Sequence, residues 1–295
     1  MERFFAEVLN KNKITALIEL GRPWNALIIV LFSIIGYLLT ITQISWLVLI
    51  AAIVSFLVYT AGTSLNDVCD MDVDFINMPY RPLERFQLTV REALLYILFS
   101  YLAAVIISLI FSIEYFLTVL LMIFVTYIYS SPPFSLNKRG IMGNIVLSFG
   151  SVFTTAYSAH VLITKNFSFT DQFLITVISL MLFFTFFTII KDFKDVKGDK
   201  IRNKKTLPMR IGIKNASFIN IIGTAVFFPL TIAMFNLIFN DSLFVFISTM
   251  LFVLLLFYEY KIYEDPSAKT GERSWSFSRI IMFLFTILVI FSMLK

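Results

Sequence analysis

The sequence predicts an all-α integral membrane protein of nine transmembrane helices, with its N-terminus on the cytoplasmic side. Three observations lead there. Only 24 basic and 19 acidic residues occur among 295, a charged share of 15%, where a soluble domain carries about 25%. Hydrophobic residues reach 59% and the mean hydropathy is +0.87, so apolar side chains must cover an outer surface as well as an interior. A soluble globular domain is therefore excluded. The apolar runs are also too long for barrel strands, and in lipid each backbone amide needs a partner within its own segment, which leaves helices.

The elements follow in order. The opening stretch MERFFAEVLNKNKITALIEL mixes both charge signs, unlike the short basic start of a signal peptide, so no processing is expected there. From Trp24 to Leu65 no residue is charged. That is about twice the roughly 20 residues of one span, and polar Thr42 and Gln43 sit near its middle, so it reads as a helical hairpin. Further apolar runs cover 93–112, 115–131, 141–163, 172–190, 216–238, 242–258 and 280–294, which brings the count to nine. No Ser/Gly/Pro-rich linker interrupts them, so residues 1–295 are read as one membrane domain. With the N-terminus inside, all but two of the 24 basic residues fall in inner segments, and Lys165 and Lys295 alone lie outside. Positive charge stays on the cytoplasmic side, so this asymmetry sets the orientation. The single Cys excludes an intrachain disulfide and a thiolate cage, which leaves oxygen ligands or the one His for any metal.

Two acidic stretches carry the chemistry. Span two runs into 66-NDVCDMDVDFINMPYRPL-83 and span six into 191-KDFKDVKGDKIRNKKTLP-208. Asp67, Asp70 and Asp74 follow i, i+3, i+7, and so do Asp192, Asp195 and Asp199. At 100° per residue each trio lies within an arc of about 60° on one helix face. Asn66 joins the first face and Asp72 points the other way. Each ladder ends an even-numbered span and precedes a basic stretch, a repetition that suggests two pseudo-repeated helix groups. One ladder alone would read as a solvated helix cap. Two of matched spacing, each with Arg and Lys beyond it, suit a diphosphate bridged by Mg²⁺, whose carboxylate and phosphate ligands complement basic side chains.

These residues resemble the UbiA superfamily of intramembrane prenyltransferases. The resemblance rests on Asn66-Asp67-x-x-Asp70-x-x-x-Asp74, Arg81-Pro82-Leu83, Asp192-x-x-Asp195-x-x-x-Asp199 and Thr206-Leu207-Pro208. Arg22-Pro23, Tyr129-Ser130 with Pro132-Pro133, and Gly140 to Asn144 add to it. It implies helix groups around a central cavity, two Mg²⁺ ions, an isoprenyl diphosphate donor and a lipophilic acceptor in the membrane. Asn66, Asp70 and Asp74, with Asp67 in support, would serve one ion, and Asp192, Asp195 and Asp199 the other. Arg22, Arg81, Tyr129 and a lysine after span four would hold the diphosphate. The family often reads Tyr-Ser-x-Pro-Pro-Leu-Lys-x-Lys there, whereas this chain has Ser135 and Asn137 in place of the lysines, with Lys138 and Arg139 close by. After Arg81-Pro82-Leu83 the family's small residues are replaced by Glu84, Arg85 and Phe86.

The implied function is Mg²⁺-dependent prenyl transfer at the cytoplasmic face, with an aromatic or quinone-precursor acceptor placed first. Glycerol-phosphate lipids and tetrapyrroles come next. A cation carrier and a non-catalytic prenyl-lipid-binding protein are the rivals, and no nucleic acid partner is expected. His160, near the outer end of span five, reads as a packing or interfacial histidine. Cys69 reads as non-functional, Glu259 and Glu264 as solvated loop acids, and most of the nine basic residues between Lys191 and Lys214, Lys204 among them, as topological charge.

Overall fold

The computed structural model describes residues 12–295. The reading of the first eleven residues, including Arg3 and Lys11, lies outside the described residues. The first described helix is α1 (Asn12–Leu20), which meets α2 (Pro23–Leu38) at a bend of 47°. Arg22 sits at that bend in a left-handed conformation, φ 50°, and Pro23 opens α2. A positive φ at a non-glycine residue is costly, and at Arg22 it accompanies an ion pair described below.

The next helix, α3 (Leu47–Asn77), has 31 residues. At 1.5 Å per residue it measures about 46 Å against an apolar core of about 30 Å, so its last turns project beyond the core. Helix α4 (Val90–Phe111) begins at a reciprocal cap between Thr89 and Glu92, and Ser112 alone links it to α5 (Ile113–Ser130). Helix α6 (Ile141–Thr164) carries a widened π turn over Phe149–Phe153. There the Gly150 carbonyl accepts from the hydroxyls of Thr154 and Thr155, at 2.7 and 3.2 Å.

Helix α7 (Asp171–Lys194) loosens at Thr188 and Ile189, stops at Asp195, and gives way to the short α8 (Val196–Ile201) and α9 (Leu207–Ile211). Three long helices finish the chain: α10 (Ile213–Phe239), α11 (Ser242–Glu264) and α12 (Ala268–Met293). Eight described helices are long and apolar enough to cross a membrane, and the bent pair α1/α2 makes a ninth. These helices correspond to the nine expected apolar runs.

Burial sorts the helices. About two thirds of the apolar window of α7 is buried (67%) against 22% for α4, so α7 is central and α4 presents Leu95, Phe99, Ile106 and Ile110 outward to lipid. Two large apolar packing centres result, beside a smaller one that joins Ala16 and Leu20 of α1 to Leu83, Leu88 and Ala93. One stacks Phe183 of α7 on Phe228 of α10, ring centroids 4.2 Å apart, with Phe285 of α12 edge-on to Phe228 at 4.8 Å. The other gathers Tyr37, Val54, Val58, Val119 and Met122 from α2, α3 and α5. Helices α2 and α6 feed both centres and cross closely at Gly36, where a Cβ would overlap the backbone of Ala156. Small residues allow such approaches where lipid supplies no hydrophobic drive.

Between the centres lies a cavity with about 1070 Å³ of empty space, its open mouth included. Ile28, Val58, Met122, Val125, Phe184 and Phe187 form its apolar wall. Arg22, Asn66, Tyr129, Lys191 and Arg279 line it too, at the end of the bundle that carries the basic loops.

Candidate active site

The projecting end of α3 carries the first ladder. Asp67, Asp70 and Asp74 are buried, Asn66 is half-buried, and Asp72 faces solvent as its helical phase requires. A buried carboxylate is stable only beside cations or donors, and each of the three has them. Asp67 pairs with Arg22 and, at 3.0 Å, with Arg81, which also pairs with Asp74. Asp70 accepts from Asn137 Nδ2 at 2.7 Å and Lys204 Nζ at 2.9 Å, and its other oxygen lies 3.1 Å from Lys138 Nζ. Asn66 adds a contact of 3.3 Å.

The second ladder does not lie on one helix face as its spacing predicted. The helix ends between Asp192 and Asp199: Asp192 stays on α7, Asp195 stands at the break with φ −93° and ψ −1°, and Asp199 belongs to α8. A staple from α3 holds the break. Asn77 Nδ2 donates to the Asp195 carbonyl at 2.9 Å, and its Oδ1 accepts from the Gly198 amide at 2.7 Å. Gly198 permits the approach, since a Cβ there would lie 2.6 Å from Asn77 Cγ. Asn77 thus brings the second acidic set to the first.

The partners of the second set differ from those of the first. Asp192 accepts from Asn144 Nδ2 at 3.4 Å, and Asp195 from its neighbour Lys194 at 2.9 Å. Asp199 takes a hydrogen bond of 2.9 Å from Thr206, while its Oδ1 is buried without a hydrogen-bond partner among the described residues. Burial pushes the Asp199 carboxyl up to about 7, against the pull of Lys204. Burial works the other way on Lys204, yet Asp70 and then Asp199 hold its ammonium above the usual lysine value.

Lys204 is therefore no topological charge: it lies between the two acidic sets. The chain turns it inward at Asn203, φ 53°, and its amide donates to the Asp199 carbonyl at 2.9 Å. Of the two basic residues after α5, Lys138 faces Asp70 and Arg139 is exposed. Asn137, in the place of an expected lysine, also reaches Asp70. Tyr129 points inward and accepts from Lys191 at 2.9 Å.

Several residues outside the ladders differ from expectation or bear it out. Glu259 is not solvated: it is buried on α11 and accepts from Thr224 at 2.7 Å, because α11 continues past the apolar run to Glu264. Glu84 is buried as well. His160 is a satisfied packing histidine, its ring nitrogens 2.8 Å from the Thr40 hydroxyl and 2.8 Å from the Ser168 carbonyl.

Among the described residues no three His, Cys, Asp or Glu side chains converge to cage a metal. Among the described residues, the site's fully buried acceptors without a hydrogen-bond partner are oxygens: Asp199 Oδ1, Asn137 Oδ1, and Asp70 Oδ1, which has Lys138 beside it. Such a set fits a hard divalent cation that takes part of its shell from a ligand's oxygens.

Comparison with known proteins agrees with this architecture. The model of the UbiA prenyltransferase family matches residues 26–287. A digeranylgeranylglyceryl phosphate synthase of Methanosphaera stadtmanae is 29% identical over 214 residues, 70% of this chain and 72% of that protein. The synthase of the same name from Pyrococcus horikoshii is 30% identical over 207 residues, covering 69% and 72%. In fold, the chain is similar to a UbiA homolog from Archaeoglobus fulgidus bound to GPP and Mg²⁺, with a TM-score of 0.67, 18% identity, and 93% and 99% of the two chains covered. With the family model spanning nearly all of the helical bundle, the chain belongs to the UbiA prenyltransferase family.

Proposed function

We propose that this protein transfers an isoprenyl chain from its diphosphate to a glycerol-phosphate lipid, using Mg²⁺ at the cytoplasmic face of the membrane. The observation that carries this reading is the interleaving of two buried acidic sets with basic side chains at the polar end of an apolar cavity. The acceptor follows the curated relatives, which are digeranylgeranylglyceryl phosphate synthases by name. It displaces the aromatic or quinone precursor that the sequence put first. The basic loops at the same end of the bundle support the cytoplasmic placement.

In this reading Asn66, Asp70 and Asp74 serve one Mg²⁺ and Asp192, Asp195 and Asp199 a second. Bound Mg²⁺ would supply charge stabilisation to the departing diphosphate. Asp67 aims Arg22 and Arg81, since its single carboxylate holds both guanidinium groups. Lys138 and Lys204, now on Asp70, stand ready to exchange a carboxylate for phosphate oxygens when the donor arrives. Lys191, braced by Tyr129, meets the phosphate charge from the cavity side.

The allylic C–O bond then ionises with the negative charge already matched. The apolar wall excludes water from the allylic cation, and the rings of Phe184, Phe187 and Trp275 line the cavity where it forms. Each aromatic face contributes about 0.5–2 kcal/mol to a nearby cation. The acceptor's hydroxyl oxygen closes the new C–O bond, and its proton leaves to the diphosphate.

The test is turnover. Purified protein with labelled geranylgeranyl diphosphate should convert a geranylgeranylglyceryl phosphate acceptor in the presence of Mg²⁺ and stop in excess chelator. Transfer only to an aromatic acceptor would replace the lipid reading, and full activity in chelator would remove the metal from it.

A further inference from the structure

We infer that Arg279, with Asn25 beside it, forms an anion site for the phosphate head of the acceptor, separate from the cluster that takes the donor diphosphate. The inference rests on the prenyl-transfer reading above for the identity of the anion, and on geometry for the site itself.

Three cations line the cavity, and two are already engaged. Arg22 is paired with Asp67, and Lys191 donates to Tyr129 beside Asp192. Arg279, on the cytoplasmic-side turns of α12, forms no ion pair among the described residues. Its Nη1 donates to Asn25 Oδ1 at 3.0 Å, its guanidinium lies 5.6 Å from the Trp275 ring centroid, and its Nε is buried without a hydrogen-bond partner among the described residues. The titratable neighbours that act on it are the phenols of Tyr59 and Tyr80, and neither acidic ladder is among them. A guanidinium facing an apolar cavity with a free buried donor is an unfavourable arrangement in an empty site. An arriving anion removes the penalty, and a phosphate monoester fits the planar, forked donor set.

The reaction brings two anionic groups into this cavity. The donor's diphosphate belongs with the carboxylates and the metal, whereas Arg279 is engaged by Asn25 of α2 and Trp275 of α12, and neither acidic ladder is among the groups that act on it. That leaves the acceptor's phosphate. An acceptor anchored there is selected by charge, and neutral lipids of the same tail are refused.

The experiment measures binding to the full-length protein in detergent, using a prenylglyceryl phosphate, its phosphate-free prenylglycerol and an aromatic carboxylic acid as probes. Wild type should prefer the phosphate lipid over the prenylglycerol by about tenfold or more. Arg279→Gln should erase that preference while labelled geranylgeranyl diphosphate binds within twofold of wild type. Arg279→Lys should keep part of the preference, and Asn25→Ala should weaken phosphate-lipid binding severalfold, so the inference stays testable if Arg279→Gln does not fold. Exposed Arg273→Gln, on the same helix, should match wild type. A preference that survives in Arg279→Gln, or in both Arg279→Lys and Asn25→Ala, overturns the inference. So does a wild type without preference, an equal loss of donor binding, or an aromatic acid that competes as well as the phosphate lipid. Turnover is scored separately: the expected binding pattern without prenyl transfer would sink the enzymatic reading and leave the anion site standing. Transfer with unchanged discrimination would do the reverse.

Discussion

Asp70 is the most heavily compensated carboxylate of the site, with Asn137, Lys138 and Lys204 all on its two oxygens. Removing one partner of a buried pair leaves the other charge exposed to a poor solvent. Lys204→Gln should therefore lower prenyl transfer by at least about tenfold, while Lys200→Gln, exposed four residues earlier, should change it little. Steady-state kinetics at saturating Mg²⁺ would check the pair, and equal activities would return Lys204 to a topological role. The acids themselves were legible from spacing alone, since burial of Asp67, Asp70 and Asp74 and exposure of Asp72 follow from helical phase. Lys204 was not, because the left-handed turn at Asn203 that folds it back leaves no periodic signal. Asp199 adds a pH dependence. Its carboxyl, pushed up to about 7 by burial, is mostly protonated below that pH, and a cation binds only the deprotonated form. Apparent Mg²⁺ affinity should thus strengthen from pH 6 to pH 7 by at most about tenfold and level off above pH 8. Mn²⁺ binding followed by paramagnetic resonance would show it, and Asp199→Asn should flatten the profile.

Among the elements, α3 and the break after α7 decide whether the two acidic sets meet. Helix α3 does its part through length, since its last turns carry the first ladder out of the apolar core. The break does the rest, and Asn77 holds it with two hydrogen bonds to Asp195 and Gly198. Each is worth about 1 kcal/mol, small beside the bundle but large for a five- or six-residue helix. Asn77→Ala should leave the spans folded, raise the Mg²⁺ concentration needed for half-maximal rate severalfold, and speed amide exchange over residues 196–201. Gly198→Ala should give the same pattern by steric conflict with Asn77. Unchanged exchange in both variants would mean the break is held elsewhere. The nine spans were readable because lipid forces long uncharged runs, and each run falls largely within the helices of the structure. Their ends were not readable. Ser267 caps α12 well before the apolar run at 280, and a period count cannot register a helix that stops at Asp195.

At the scale of the whole molecule, orientation decides which compartment supplies the water-soluble cation. The described structure separates the ends cleanly. Lys165 lies in the short α6–α7 connection, and Lys295 pairs with Asp241 at 2.7 Å before α11, so the two basic residues assigned outside sit in loops remote from both ladders. The remaining described basic residues lie in the other connections and in the helix turns that adjoin them, at the end of the bundle that carries both acidic sets. A bundle inserted the other way would place that whole basic surface outside, against the preference that retains Lys and Arg in the cytoplasm. Single cysteines can test this in a Cys69→Ala background, and the structure chooses the positions. Glu84 and Lys204 are unsuitable because one is buried and the other is committed to Asp70. Exposed Arg85, Lys200 and Lys269 serve at the end that carries the ladders, expected inside, with Lys165 and Ser242 at the opposite end. In intact cells an impermeant maleimide should label only the last two, and the first three should react only after the membrane is opened. Labelling of Lys200→Cys from outside would invert the bundle, moving Asp192, Asp195 and Asp199 with it, and the source of Mg²⁺ and diphosphate would have to be sought on that side.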